Sequence, residues 1–334
     1  MQEFRILDGA TIDDEDLAIR RAHIDAIVVH HNRFNRLMKE LQDCHLLQKK
    51  SFNKKGMCIF GESGAGKTTL FKDYEAKYPR NDDNPTSIVP VLRAELDSNS
   101  SPRTVASKLL EKLGEPYYYK GTEKELTSRL KGLLPKAQVE LIIIDEFQHL
   151  IDTEKDRVIR KAADWVKQFA NEVNITIILG GVLDSTRIFK NNQQLDERFQ
   201  QKEEFLSFKY KSEDEKREFR GFLKSIHSQL PFPILPQNQE SDIPKPPKLF
   251  DPYLAEKIYY ASLGVPRSIN HLLVQSATIA LRHGRDLLEE KHLHDGFEKL
   301  VLVNRPNVTN PFNGKKFELE LALDREKGKN KDKK

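Results

Sequence analysis

Apolar and ring-bearing positions recur at helical spacing over Ile24, Ile27, Val28, His31, Phe34, Leu37, Met38 and Leu41, which predicts that residues 17–48 are mostly helix. Five short apolar runs follow, at 57–60, 88–92, 139–144, 175–179 and 205–208, with helical stretches between them. Apolar strands alternating with helices predict an α/β fold whose five-stranded parallel sheet is covered on both faces. From Ser212 the strand pattern stops, and helices are expected near 212–228, 251–262, 267–283 and 289–302. The stretch 231–250 holds six of the sixteen prolines, which predicts an extended insertion. No internal repeat is found.

Composition narrows the class. With 38% hydrophobic and 32% charged residues the chain reads as globular, and its longest apolar runs, such as Leu141 to Ile144, are far short of a membrane span of about 18 residues. The N-terminus carries no signal-peptide pattern, so a cytoplasmic protein without a membrane partner is expected. Two cysteines, Cys44 and Cys58, exclude a disulfide scaffold and a four-cysteine zinc site. Of the net charge of +4, residues 324–334 carry +3, so this tail is expected to be disordered and the body nearly neutral. Any nucleic-acid binding by the body must come from a local basic stripe.

The strongest motif is Gly61-Glu62-Ser63-Gly64-Ala65-Gly66-Lys67-Thr68, a G-x-x-x-x-G-K-S/T phosphate loop between a strand-like run and a helical stretch. Its glycines let main-chain N–H groups curl around phosphate oxygens, and the following helix turns its positive end to the same anion. Lys67 is placed to neutralise the β- and γ-phosphates and the Thr68 hydroxyl to ligate magnesium, which makes ATP with Mg2+ the expected cofactor pair. Thr69 belongs to this segment or simply starts the helix. The second piece is the apolar run Val139 to Ile144 ending in Asp145-Glu146. Two carboxylates at the end of a buried strand are costly unless a cation waits there. Asp145 is expected to hold magnesium and Glu146 to orient and deprotonate the attacking water. An acid directly after the magnesium aspartate points to the branch of P-loop proteins with a further strand between the phosphate loop and the acidic strand. The 175–179 run is the candidate for that strand.

Two arginines complete the expected ATPase site. Arg198, in Gln194-Leu195-Asp196-Glu197-Arg198-Phe199, precedes the fifth strand, where it would reach into a neighbouring subunit's nucleotide site and act in trans. Arg267, in Gly264-Val265-Pro266-Arg267, starts a helix of the C-terminal region and would report on the γ-phosphate from a lid.

Taken together, GESGAGKTT, LIIIDEFQHL, IILGGVLDSTRIF followed by QQLDERF, and SLGVPRSINHLL resemble an AAA+ ATPase, and more narrowly the TniB/TnsC group of transposition regulators, including those of CRISPR-associated transposons. The resemblance spans roughly residues 30–300. It implies an ATP-dependent homo-oligomeric ring or helical filament on double-stranded DNA that links a transposase to a TniQ-type target selector. It also implies sequence-nonspecific DNA-backbone contacts at Arg103 and Thr122, with Lys120 beside them. One departure stands out: the group usually carries a polar residue just after the glycine that follows the fourth strand, and Gly180-Gly181-Val182 offers none. Asp184 or Ser185 is then left to substitute, or hydrolysis is slow.

The expected organisation is an N-terminal helical segment on the ATPase core (1–50), an AAA+ nucleotide-binding domain (51–211), a small all-helical lid with the Pro-rich insertion (212–305), and a basic C-terminal tail (306–334). Within the same fold the competing reading is a replication initiator or helicase loader. Against it, the roughly fifty residues after the Arg267 helix show no winged-helix pattern. A reading from a different class is an ATP-switched scaffold that binds partner proteins and no DNA.

Overall fold

A computed structural model describes residues 4–49, 51, 54–83, 87–151, 156–190, 192–233, 248–300, 302, 304–314 and 316–331. The described elements run α1 (Asp14–Asp25), α2 (Asn32–Lys49), β1 (Met57–Phe60), α3 (Lys67–Ala76), β2 (Val91–Glu95), α4 (Pro102–Leu113), α5 (Glu123–Leu133), β3 (Leu141–Asp145), α6 (Asp156–Val173), β4 (Thr176–Gly181), α7 (Gln193–Arg198), β5 (Gln201–Glu204), α8 (Glu213–His227), α9 (Pro252–Ser262), α10 (Pro266–Arg282), α11 (Glu290–Glu298) and α12 (Leu319–Lys331). Short 3-10 turns cover Phe147–Leu150 and Leu183–Phe189. Most of the Pro-rich insertion expected at 231–250 lies outside the described residues. Among those described, no helix is long and apolar enough to cross a membrane.

The chain divides into two compact units, one formed by 32–206 and the other by 1–31 together with 207–334. In the first, all strand pairs are parallel and the order is β2-β3-β4-β1-β5, so β4 does stand between β1 and the acidic strand β3. Alternate residues feed two cores. Ile142, Ile144, Ile177 and Leu179 pack with Val105, Leu109 and Phe169 from α4 and α6, while Ile59, Ile143 and Ile178 pack with Leu37, Leu41, Leu70 and Phe71 from α2 and α3. A parallel sheet buried on both faces leaves its C-terminal edge as the place where polar chemistry reaches solvent.

The fifth strand is Gln201–Glu204, not the apolar run at 205–208. This is an edge strand paired only with β1, and its side chains alternate between half-buried and exposed, so it carries no apolar signature. Phe205 is instead buried in the sheet unit's core and Phe208 in that of the second unit. The second strand also starts later than the apolar run, because Ile88 forms an isolated bridge with Asn81.

The helix expected across 17–48 is broken at 26–31, and its halves belong to different units. In the second unit Ile24 of α1 lies among Phe219, Leu223, Ile258, Leu273 and Ala277 of α8, α9 and α10. Arg20 is buried there, donating to the Pro231 and Arg5 carbonyls and to Asp16. Helix α12 enters the tail as far as Lys331, with Leu319, Ala322 and Leu323 packed on the same core and Arg305 paired with Glu326 at 2.8 Å; the end of the tail, 332–334, lies outside the described residues.

Candidate active site

The phosphate loop joins β1 to α3 at the C-terminal edge of the sheet. Gly64 and Gly66 take the left-handed backbone (φ 81° and 112°), which favours glycine because a β-carbon crowds it. A β-carbon on Gly61 would overlap the Phe205 carbonyl, so glycine is required there by packing. Gly66 is the N-cap of α3 and has no side chain with which to cap it, so main-chain N–H groups of the first turn face the loop. Lys67 is buried, and its ammonium donates to the Gly61 and Glu62 carbonyls, both at 2.8 Å. Glu62 and Ser63 are exposed, Ala65 is buried, and Thr68 and Thr69 are half-buried in the first turn of α3.

Asp145 ends β3 with its carboxyl fully buried, and burial pushes that group above the usual carboxylate range. The Thr68 side chain and the Glu146 N–H, which donates to Oδ1 at 2.9 Å, pull the other way. Oδ2 is buried without a hydrogen-bond partner, and Arg93 Nη1 of β2 stands 3.8 Å from it. A buried carboxylate oxygen that makes no hydrogen bond, near a hydroxyl next to a phosphate loop, is the donor set a hard divalent cation takes, so these residues fit magnesium. Arg93, braced by Glu75 at 2.8 Å, was not singled out from the sequence, although an arginine in the run Val91-Leu92-Arg93-Ala94 interrupts an apolar pattern.

Glu146 follows in a left-handed backbone conformation (φ 53°) that few non-glycine residues adopt, which turns the chain sharply out of the strand. Its carboxylate accepts a hydrogen bond from Gln148 Nε2, and Gln148 Oε1 accepts the Val182 N–H at 3.2 Å. The glycines at the end of β4 make room for this arrangement. A β-carbon at 180 would overlap the Phe71 ring, and one at 181 would lie 2.8 Å from Ser185 Oγ and 3.0 Å from Gln148 Oε1. Of the two substitutes expected for the missing polar residue, Asp184 pairs with Arg187 at 3.4 Å and Ser185 Oγ is buried without a partner. Gln148 was also missed, because nothing in the local pattern marks it.

Arg198, the last residue of α7, folds back within its own unit. Its guanidinium donates to the Ala170 carbonyl and to Asn171 Oδ1 (2.8 Å) near the end of α6, and burial holds its pKa below the usual arginine value. Arg267 is exposed in the first turn of α10 in the other unit, after a turn in which Gly264 (φ 72°) accepts the Phe208 N–H at 3.0 Å. Arg103, Lys120 and Thr122 come together on one exposed edge. Arg103 donates to the Tyr119 and Gly121 carbonyls (2.6 and 2.9 Å), and Lys120 lies over the Tyr117 and Tyr119 rings. Thr122 caps α5 through a reciprocal bond with Glu125. Two of the three thus already brace the loop.

A family model described as bacterial TniB protein matches residues 19–209. No curated protein matches the chain. Among solved structures, the Aeropyrum pernix ORC2 protein in ADPNP–ADP complexes is similar at 16% identity and a TM-score of 0.57, covering 89% of this chain and 73% of that one. The Aeropyrum pernix ORC1 protein in complex with DNA is similar at 15% and 0.57, covering 84% and 69%. Cdc6p from Pyrobaculum aerophilum is similar at 14% and 0.57, covering 87% and 72%. At these identities the likeness speaks for the fold, an AAA+ sheet with a helical C-terminal region.

Proposed function

We propose a function for a chain that belongs to the TniB family and is a transposition-associated AAA+ ATPase. Bound to ATP and magnesium in the cytoplasm, copies of it assemble as a ring or helical filament on double-stranded DNA, grip the backbone without reading sequence, and link a TniQ-type target selector to the transposase. The observation that carries this reading is the meeting of Lys67, Thr68, Asp145 and Glu146 at one edge of a single sheet.

A magnesium ion held here would supply positive charge beside the bound triphosphate. Thr68 and Asp145 hold it, and Lys67 with the N–H groups of 62–69 holds the phosphates. Glu146 orients a water and takes its proton. Arg198 of a neighbouring copy stabilises the charge on the transferred group, and Arg267 acts from the helical lid. Arginine, lysine and hydroxyl donors at 103, 120 and 122 suit phosphate oxygens and carry no base readout.

The test is titration of the purified chain with random-sequence duplex, with and without Mg-ATP, at several salt concentrations. This reading expects ATP-dependent binding whose affinity falls linearly on a log–log plot against salt, and loss of that binding in Lys67→Ala. Absent or salt-insensitive binding would instead favour the ATP-switched scaffold.

A further inference from the structure

We propose that Gln148 is the positioning residue for Glu146, supplying from the end of β3 the polar group that the end of β4 lacks. The inference rests on Glu146 being the base, as read above. Gln148 touches both sides of the site edge, donating through Nε2 to the Glu146 carboxylate and accepting through Oε1 from the Val182 N–H.

The chemistry fixes which way the amide points. A carboxylate can only accept and a main-chain N–H can only donate, so the amide has one orientation that satisfies both. Glutamine is the neutral side chain of this length that offers a donor and an acceptor together. Space is matched to it as well. Gly181 leaves open the volume that Gln148 Oε1 and Ser185 Oγ border, at 3.0 and 2.8 Å from where a β-carbon would stand. The other polar side chains nearby do not serve. Asp184 is largely exposed and paired with Arg187, and Ser185 Oγ makes no hydrogen bond.

Glu146 needs such a brace because its backbone is left-handed and its side chain leaves the strand at a turn. Gln148 therefore couples the direction of the Glu146 carboxylate to the main chain at 182, where the Leu183–Phe189 turn begins. Movement of that segment would be felt at Glu146 without any side chain on β4 reaching the site.

The experiment uses the full chain and four variants: Gln148→Leu, Gln148→Glu, Glu146→Gln, and Gln148→Leu combined with Glu146→Gln. The measurements are kcat, KM, the pH profile of kcat, the Kd of a fluorescent ATP analogue, thermal melting, and amide hydrogen exchange of the nucleotide-free protein. Gln148→Leu is expected to lower kcat about tenfold or more, the loss of one hydrogen bond to a charged group, with KM and Kd within about twofold. Exchange at 182 should quicken. Gln148→Glu should keep the Val182 bond but lose the donor to the Glu146 carboxylate, so kcat should fall while exchange at 182 stays slow. The double variant should be no slower than Glu146→Gln alone.

An unchanged kcat in Gln148→Leu, or a further loss in the double variant, overturns the proposal. Should Gln148→Leu melt out at assay temperature, the near-isosteric Gln148→Glu decides, and an unchanged kcat in that variant overturns the proposal. Normal turnover by Glu146→Gln removes this proposal together with the reading it rests on. A dead Glu146→Gln beside unimpaired Gln148 variants removes this proposal alone.

Discussion

The Thr68 side chain holds the pKa of the Asp145 carboxyl down against the effect of burial, so the first turn of the phosphate-loop helix and the end of the acidic strand act on one group. The pairing crosses from the strand–loop–helix of the phosphate-loop motif to a strand about eighty residues later, with β4 lying between β1 and β3 in the sheet. Asp145 is a buried carboxylate whose Oδ2 makes no hydrogen bond and has Arg93 Nη1 at 3.8 Å.

That arrangement has a pH signature. The folded-state pKa of Asp145 is raised by burial, so its contribution favours the fold where the group is protonated and is lost as pH rises through the raised value. Asp145→Asn should therefore raise the melting temperature of nucleotide-free, metal-free protein at pH 7. The gain should shrink as pH falls to the ordinary aspartate value of about 3.9. With Mg-ATP the order should invert, since the wild type gains stability from the ligand and the variant does not. A lower melting temperature for Asp145→Asn without ligand would contradict the assignment.

Packing around Gly180 predicts a stability loss unconnected with charge. The β-carbon of Gly180→Ala would meet the Phe71 ring between β4 and α3, an overpacking that costs about 1–3 kcal/mol in urea unfolding. Gly132→Ala, on α5 with nothing within 4 Å, serves as the control and should gain up to about 1 kcal/mol.

Arg198 gives a prediction between subunits. Arg198→Ala alone should retain nucleotide binding and lose turnover. Mixing it with Glu146→Gln subunits should restore part of the steady-state ATPase rate, because mixed interfaces pair an intact Glu146 with an intact Arg198. A mixture no faster than its components would leave the arginine without a role in trans.

On the exposed edge, Lys120 gives a cleaner DNA test than Arg103, whose removal also frees the Tyr119 and Gly121 carbonyls. Lys120→Ala should weaken binding to all duplex sequences alike and lower the salt slope by about one. A sequence-dependent loss in competition assays would contradict backbone recognition.

The phosphate loop and the Asp145-Glu146 pair were legible because each is a short motif whose flanks announce a strand and a helix. The order of the inner strands followed from the acid Glu146 directly after Asp145 at the end of the apolar run. The edge strand was not legible, since Gln201–Glu204 pairs on one side only and needs no apolar residues, while the nearby Phe205 and Phe208 imitate a strand. The break at 26–31 hides inside a continuous apolar period, because helices α1 and α2 bury their stripes in different cores. Gln148 depends on space left by Gly181 some thirty residues away, a relationship only the folded chain contains.

In the proposed function, nucleotide joins copies of this chain along duplex DNA. Negative-stain electron microscopy of the purified chain with a long random-sequence duplex, under ATP, a non-hydrolysable analogue, ADP or no nucleotide, tests it directly. Rings or filaments on the duplex are expected with ATP and the analogue, and are lost in Lys67→Ala. Isolated particles of single-chain size under saturating analogue and duplex would contradict it.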